Sequence, residues 1–251
     1  MLEQTRNQMN QLKLHGMLKA LDLRMQESLN HAWGPGELLS ALVTDESVYR
    51  ESNKIQRRVK AANFRTNASL ESIDYTVKRT LLKPMVKDLM MLDFIKNSPR
   101  NLLIIGPTGV GKTFLSTALG HHACRHGYTT HFQGISVMIE KLSMARTDNT
   151  YLKLRDRLIK FDLLIIDDIG LKKLSPEFVQ DLHDILEERQ EKCTIITSQL
   201  PLKNWNEIID DPLALDTIVD KLKHGSLEIG IDGESYRKKK GQRENLKINK
   251  A

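Results

Sequence analysis

The feature that most constrains this chain is a glycine-rich octapeptide, Gly106-Pro107-Thr108-Gly109-Val110-Gly111-Lys112-Thr113. It fits the pattern G-x-x-x-x-G-K-[ST], which predicts a phosphate-binding loop where a strand precedes it and a helix follows it. Residues 101–105 are apolar and rich in branched side chains, which predicts a buried strand, and a helical pattern begins at Phe114. The motif therefore stands in the context that a phosphate site requires.

The residue types of this segment, called the phosphate loop (residues 106–113), suit phosphate chemistry. Its glycines allow backbone conformations that a side chain would forbid, so that consecutive N–H groups can face phosphate oxygens. The helix that follows adds its unpaired N–H groups and the positive end of its dipole. We expect Lys112 to contact the β- and γ-phosphates of a nucleotide and the Thr113 hydroxyl to bind Mg²⁺. The predicted nucleotide-binding residues are Gly106, Pro107, Thr108, Gly109, Val110, Gly111, Lys112, Thr113 and Phe114.

Composition narrows the class of protein. The chain has 251 residues, of which 40% are hydrophobic and 28% charged, which is typical of a globular protein rather than a disordered one. No apolar run approaches the ~18 residues of a membrane helix, and the start lacks a signal-peptide pattern. The two cysteines, Cys124 and Cys193, are too few for a disulfide framework. We therefore expect a cytoplasmic protein that does not associate with membranes.

The distribution of charge is more informative than the net charge of +6. Basic residues form two clusters, which are either solvated surfaces or contacts to a nucleic-acid backbone. The first cluster is Lys54, Arg57, Arg58, Lys60 and Arg65; the second, in the last fifteen residues, is Arg237, Lys238, Lys239, Lys240, Arg243, Lys247 and Lys250.

The amino-terminal part is predicted to be helical. Apolar residues recur at helical spacing over residues 1–30, Trp33-Gly34-Pro35-Gly36 interrupts the pattern, and a second helix is predicted over 37–62. Residues 64–76 are predicted to form a linker, in which Leu70, Ile73 and Tyr75 could dock on the core near a nucleotide base, and 80–96 another helix. We expect a helical amino-terminal domain at residues 1–66, in contact with a partner or DNA, and a second domain at 67–251 that ends in a basic tail.

From Asn101 onward, predicted strands alternate with predicted helices. This alternation is typical of an α/β domain with a parallel sheet flanked by helices. The predicted strands are 101–105, 128–133, 161–166, 193–198 and 226–231.

Two of these strands end in polar side chains. Asp167 and Asp168 follow an apolar strand. In P-loop enzymes, an acid at the end of a strand next to the phosphate loop helps to hold Mg²⁺ opposite the loop lysine, here Lys112. We assign that role to Asp167 and expect Asp168 to orient the attacking water; the alternative is a polar strand end before a turn at Gly170. Residues 194–199 likewise end in polar side chains that could detect the γ-phosphate or could close a turn before Pro201.

Four segments together resemble the AAA+ ATPases of the DnaC/IstB branch. They are the phosphate loop, Leu163-Leu164-Ile165-Ile166-Asp167-Asp168-Ile169-Gly170, Thr197-Ser198-Gln199 and Gly233-Glu234-Ser235-Tyr236-Arg237. With Leu12-Lys13-Leu14-His15-Gly16-Met17 and the basic helix after it, the chain most resembles the IstB-type helper ATPases of bacterial insertion sequences.

The resemblance implies an ATPase that uses ATP and Mg²⁺, forms a homo-oligomer on double-stranded DNA, and recruits or activates the transposase encoded by the same element. It also implies a first sensor at Ser198 or Gln199 and a second at Arg237. The family's trans-acting arginine corresponds to Lys221, a point charge without the planar guanidinium, which implies either a weaker contact or a contact supplied by another residue. Asp168 is shorter than the glutamate common in AAA+ proteins, which implies slow turnover.

Initiator-type AAA+ proteins carry an extra helix between the second and third strands that contacts nucleic acid. Residues 135–142 and 151–157 are predicted to be helical here. Each basic side chain in this part could equally be an ordinary solvated charge. The candidate DNA contacts, including those of the amino-terminal basic helix, are Arg57, Arg58, Lys60, Lys141, Arg146, Lys153 and Arg157.

Two other functions of the same fold stay open. A DnaC-like replicative helicase loader would share the fold and differ in its partner, and a small-molecule kinase would need a substrate pocket and an arginine-rich lid that the sequence does not indicate. His122 and His126 lie four residues apart on one predicted helix face, but no second ligand group accompanies them. We therefore do not predict a metal site there.

Overall fold

The computed structural model describes residues 2–97, 100–224 and 226–236. Its helices are α1 (Leu2–Gln11), α2 (His15–Asn30), α3 (Pro35–Ala61), α4 (Lys83–Met90), α5 (Asp93–Lys96), α6 (Lys112–Arg125), α7 (Ile135–Thr147), α8 (Tyr151–Lys160), α9 (Pro176–Glu188) and α10 (Pro212–His224). Its strands are β1 (Asn101–Ile105), β2 (Thr130–Gly134), β3 (Leu163–Ile169), β4 (Cys193–Ser198) and β5 (Ser226–Gly230). None of the helices in these ranges is long and apolar enough to span a bilayer.

The chain divides into two compact units, residues 1–57 and 58–251. In the first unit, α2 begins where a carboxylate of α3 caps it. Glu46, which is buried, accepts hydrogen bonds from the backbone N–H groups of Gly16 at 2.6 Å and Met17 at 3.1 Å. A Cβ at Gly16 would lie 2.7 Å from the Glu46 Cα, so only glycine allows the two helices to approach this closely. A second pair, Arg24 with Asp45, joins the same helices through bonds of 2.7 and 2.9 Å.

This capping explains one departure from the predicted helices. The pattern over residues 1–30 predicted a continuous helix, but the chain breaks between α1 and α2, where Lys13 has φ of 57°. The break leaves the first N–H groups of α2 free to bind Glu46, as a helix amino terminus requires. The predicted helix over 80–96 is likewise divided into α4 and α5 at Leu92, where φ is 58°.

The second unit confirms the predicted α/β class. All five strands are parallel, in the order β2-β3-β4-β1-β5. Side chains of β1 alternate between two hydrophobic layers: Leu102 and Ile104 pack with α4 and α6, and Leu103 and Ile105 pack with α7, α9 and α10. Because β4 lies between β1 and β3, the carboxyl ends of these three strands meet at one edge of the sheet, which positions the candidate site.

The second unit begins at Arg58, before the boundary expected at residue 66. Residues 62–64 lie along the outer edge of β2, since the Ala62 carbonyl accepts a 2.8 Å hydrogen bond from the Phe132 N–H. The Phe64 ring stacks on His121 with a centroid distance of 4.2 Å. These contacts join the segment to the α/β core, so the sheet edge at β2 is covered by the chain itself.

We predict that Gly16→Ala destabilises the first unit by about 1–3 kcal/mol, because its methyl group would overlap the α3 backbone. Gly36→Ala is the matched control: Gly36 lies in α3 with nothing within 4 Å of its added Cβ. Amide hydrogen exchange of the full chain measures the effect. Exchange in α2 should accelerate in the first variant and not in the second. Equal protection in both variants would contradict the close approach at Gly16.

Candidate nucleotide-binding site

The phosphate loop follows β1, and hydrogen bonds to two other segments, the end of β4 and the residues after β5, hold its backbone in place. The Gly106 N–H donates to the Ser198 carbonyl at 3.2 Å, and the Ile231 N–H donates to the Ile105 carbonyl at 2.7 Å. A Cβ at Gly106, where φ is 155°, would lie 2.0 Å from the Ile231 carbonyl oxygen. One at Gly109, where φ is 88°, would lie 2.3 Å from Ser235 Oγ. Gly106 and Gly109 are therefore required for two reasons. A side chain at either position would overlap Ile231 or Ser235, and the backbone adopts a conformation that favours glycine.

Lys112 is positioned inside the curve of the loop. It is the first residue of α6 and is buried. Its Nζ donates to the carbonyl oxygens of Gly106 at 2.8 Å and Pro107 at 3.1 Å. The ammonium group and the α6 amino terminus thus lie together, which provides positive charge and N–H donors for phosphate oxygens.

A carboxyl-terminal segment, residues 231–236, is called the strap because it crosses the phosphate loop. The Tyr236 N–H donates to the Gly109 carbonyl at 2.9 Å. Arg79 joins the same region, since its Nη1 donates to the Val110 carbonyl at 2.7 Å and its guanidinium lies 5.5 Å from the centre of the Tyr236 ring. The Gly-Glu-Ser-Tyr part of the predicted motif therefore contacts the loop. Arg237 lies outside the described residues.

A small cavity of about 70 Å³ adjoins the loop beside this segment. Ile73, Phe114 and Tyr236 are among its lining residues, and Ile73 is one of the three residues expected near a nucleotide base. Leu70 and Ile73 are buried in the core, whereas Tyr75 is 39% exposed. Arg79, which lies just ahead of α4, belongs to no motif that would predict its contact with the loop.

Asp167 and Asp168 end β3 beside the loop and share one hydroxyl group of β4. The Thr197 hydroxyl donates to Asp167 Oδ1 at 2.7 Å and accepts from the Asp168 N–H at 2.9 Å. A bulge between Ile166 and Ile169 interrupts the β3–β4 register here, and Asp168 has φ of 65°. The bulge turns two consecutive acids toward the same edge of the sheet.

Asp167 fits the role of a magnesium-binding carboxylate. It is fully buried, and its Oδ2 makes no hydrogen bond within the described residues. Burial raises the pKa of Asp167, and the neighbouring charge of Asp168 raises it further, while the hydroxyls of Thr197 and Thr113 oppose the shift. A buried carboxylate with a free oxygen is stabilised by a cation. Thr113, whose hydroxyl lowers the pKa of Asp167, is the second candidate Mg²⁺ ligand.

The other predicted catalytic residues have protein partners. Ser198 Oγ donates to the Leu200 carbonyl at 2.7 Å and accepts from the Leu200 N–H at 3.0 Å, which closes the turn after β4. Lys221, on α10, forms an ion pair with Glu187 of α9. Their assignments as sensor and trans-acting residue stay predictions. Thr197, one residue before Ser198, contacts both acids instead, because neighbouring side chains of a strand point to opposite faces of the sheet.

Comparison with known proteins agrees with this geometry. Residues 7–244 match the family described as IstB-like ATP binding protein. A putative insertion sequence ATP-binding protein of Sinorhizobium fredii is 37% identical over 93% of this chain and 96% of its own length. The chain belongs to the IstB-like ATP-binding proteins.

Solved structures show the same fold for this IstB-like protein. The replication initiator DnaA bound to AMPPCP and single-stranded DNA aligns with a TM-score of 0.58 and 18% identity, over 74% of this chain and 57% of that one. The DnaC helicase loader aligns with a TM-score of 0.56 and 21% identity, over 66% and 97% respectively. The predicted AAA+ core and the resemblance to IstB are therefore confirmed. This IstB-like protein is an ATPase.

We predict that Thr197→Val lowers kcat for ATP hydrolysis by about 10- to 100-fold, because both acids lose the hydroxyl that orients them. The valine is close in size to threonine, and ATP affinity should change little, since the phosphate loop is untouched. Steady-state ATPase kinetics measure both quantities. Thr197→Ser, which keeps the hydroxyl, should recover most of the activity; a serine variant as slow as the valine variant would contradict this role.

We predict that Lys112→Ala weakens ATP binding by at least about 10- to 100-fold, because it removes a charged donor to the phosphates. Isothermal titration with ATP measures the affinity. Lys87→Ala, which removes an exposed lysine of α4, is the control for lost charge. Normal affinity in the Lys112 variant would refute the assignment of the phosphate loop.

Proposed function

We propose that this ATPase assembles as a homo-oligomer on double-stranded DNA in its ATP-bound form, and there recruits or activates the transposase encoded by the same insertion sequence. The observation that carries the DNA part is a basic surface on α8. Lys153, Arg157 and Lys160 recur there at intervals of four and three residues and are all exposed. This spacing places three cations on one helix face, where they can contact successive backbone phosphates.

The surroundings of α8 support such a contact. Lys153, Arg157 and Lys160 border an open depression of about 770 Å³, with Asp156 as its acidic lining residue. A concave basic surface attracts a polyanion more strongly than scattered charges do. Lys60 and Lys141 add positive charge on the other side of Arg157, where all three line a second cavity.

Arg146 has a different environment from the other candidates. Its guanidinium forms a bidentate ion pair with Asp181, which is buried, and lies 4.4 Å from the centre of the Tyr151 ring. Tyr151 also donates to Asp181, at 2.6 Å. Breaking this network would leave a buried carboxylate unpaired, which is costly. We therefore propose that Arg146 mainly joins α7 to α9, and that Arg57, Arg58, Lys60, Lys141, Lys153 and Arg157 stay the candidates for DNA contact.

The transposition role rests on the relatives rather than on the fold. The family and the relative from Sinorhizobium fredii are named for insertion sequences, and the similarity extends over nearly the whole chain. The similarity to the DnaC helicase loader extends over the ATPase fold, so a helicase loader is the alternative function. In either role, Mg²⁺ would neutralise phosphate charge when bound by Thr113 and Asp167, while Asp168 orients the attacking water and Lys112 holds the phosphates.

Mass measurement on DNA tests this proposal. The full chain is mixed with a duplex of about 50 base pairs, with ATP and then with ADP, at two salt concentrations. We expect a large assembly with ATP that dissociates with ADP and weakens with salt. A monomer with no affinity for DNA in either nucleotide would refute the proposal, and binding of a replicative helicase without an effect on the transposase would favour the loader.

We predict that Asp168→Asn slows ATP hydrolysis by at least about 100-fold while ATP binding persists, because the group that activates water is lost. The variant should therefore remain on DNA as an ATP-bound assembly. Rapid-quench hydrolysis and DNA dissociation rates measure the two effects. Asp88→Asn, in α4, is the control. Unchanged hydrolysis would show that Asp168 does not activate the water.

A further inference from the structure

A cavity of about 310 Å³ lies at the outer edge of the sheet, away from the phosphate loop. It is lined by β2, α7, α8 and the segment at residues 60–63, is open to solvent on one side, and is called the basic cavity. Its lining residues are Lys60, Ala61, Asn63, His131, Gln133, Met138, Lys141, Leu142, Leu154, Arg157 and Leu158. This volume is large enough for a phosphate group with part of its attached sugar.

The charge of the basic cavity has one sign. Lys60, Lys141 and Arg157 line it, and no carboxylate does among the described residues. Lys141 is held in place, because its Nζ donates to Gln133 Oε1 at 3.1 Å. Three cations brought together without an acidic partner repel one another, and that repulsion is relieved when an anion binds between them.

A buried histidine adds a fixed polar group to the basic cavity. His131 is 8% exposed, and its ring stacks on Phe161 with a centroid distance of 4.9 Å. Its Nδ1 makes no hydrogen bond within the described residues. Burial, together with the charges of Arg157 and Lys141, lowers the pKa of His131 to about 4, although hydrogen bonds to the Gln133 side chain and the Ala61 backbone oppose the shift, so the ring is neutral at pH 7. A neutral imidazole can place its N–H on Nδ1 and donate to an anion.

The apolar lining strengthens these interactions. Met138, Leu142 and Leu158 are buried and form part of the wall. An anion that enters loses water there, and its attraction to the cations is weakened less by solvent than at an open surface. A hydrogen bond from a buried donor that otherwise has no partner also recovers a desolvation cost.

We propose that the basic cavity is a phosphate-binding site, separate from the phosphate loop, that uses Lys60, Lys141 and Arg157 as cations and His131 as a neutral donor. The phosphate comes either from the backbone of bound DNA or from a free nucleotide. The first source rests on the proposed function, because it makes the basic cavity part of the DNA-binding surface beside α8. The second does not depend on it.

The test begins with the Lys112→Ala variant of the full chain, in which the phosphate loop no longer competes for phosphate. Inorganic phosphate, ADP and a duplex of about 20 base pairs are titrated separately, and the imidazole nitrogen signals of His131 are followed by NMR. A saturable shift with phosphate or ADP identifies a free ligand, and a shift with DNA alone identifies the backbone. No shift with any of the three overturns the proposal.

Measurements of DNA affinity then show whether DNA contacts the basic cavity or only the open depression beside α8. His131→Phe keeps an aromatic ring on Phe161 but removes the hydrogen-bond donor, and Arg157→Met removes a cation. Each variant should weaken DNA binding by about tenfold. Arg157→Met should also reduce by about one the slope of log affinity against log salt concentration. Lys203→Met removes an exposed lysine outside the cavity and is the control for net charge. If His131→Phe binds DNA like the control, and its folding is confirmed by unchanged ATP affinity, the DNA source is refuted.

The two proposals fail in different ways. A wild-type chain that assembles on DNA, with His131 insensitive to every ligand, refutes the basic cavity and leaves the proposed function intact. A wild-type chain that ignores DNA, with His131 responding to phosphate or ADP, refutes the proposed function and supports the basic cavity as a site for a free phosphate compound.

Discussion

The buried Asp167 carboxylate is the constraint on which the rest of the ATPase site depends. It lies near the end of β3, where burial disfavours its charge; Oδ1 accepts a hydrogen bond from Thr197, and Oδ2 makes no hydrogen bond within the described residues. An apolar residue there would be more stable in the fold alone. The cation and nucleotide that we expect at the neighbouring phosphate loop would offset this cost. The bulge in β3 and the left-handed Asp168 follow from the same requirement, since two adjacent acids must face one site.

The sequence was sufficient for those parts of the fold that depend on local patterns. All five strands were located within a few residues, because short apolar runs between helical segments are typical of buried parallel strands. The phosphate loop is also a local pattern, because its glycines and its lysine have a fixed spacing within one segment. Breaks at Lys13 and Leu92 were not predicted, because they depend on contacts made elsewhere: the first serves the cap by Glu46, which lies on another helix.

Contacts between distant segments account for most of what was missed at the site. Thr197 contacts the acids only because β4 pairs with β3 in this register. Arg79 donates hydrogen bonds to two carbonyl oxygens, that of Val110 in the phosphate loop and that of Asp74. Arg189 is a further example: it is buried and donates to backbone carbonyls at the end of α8 and to Cys193 at the start of β4. An arginine with no acidic partner gives no sequence pattern from which such a structural role could be predicted.

The dependence of the phosphate loop on the strap has a consequence for biosynthesis. The loop is made early, at residues 106–113, but its backbone is held by β4 and by residues 231–236. Until these are translated, β1 lacks both of its neighbours in the sheet, β4 and β5. A nascent chain therefore acquires a complete nucleotide site only when nearly all of the described residues have left the ribosome.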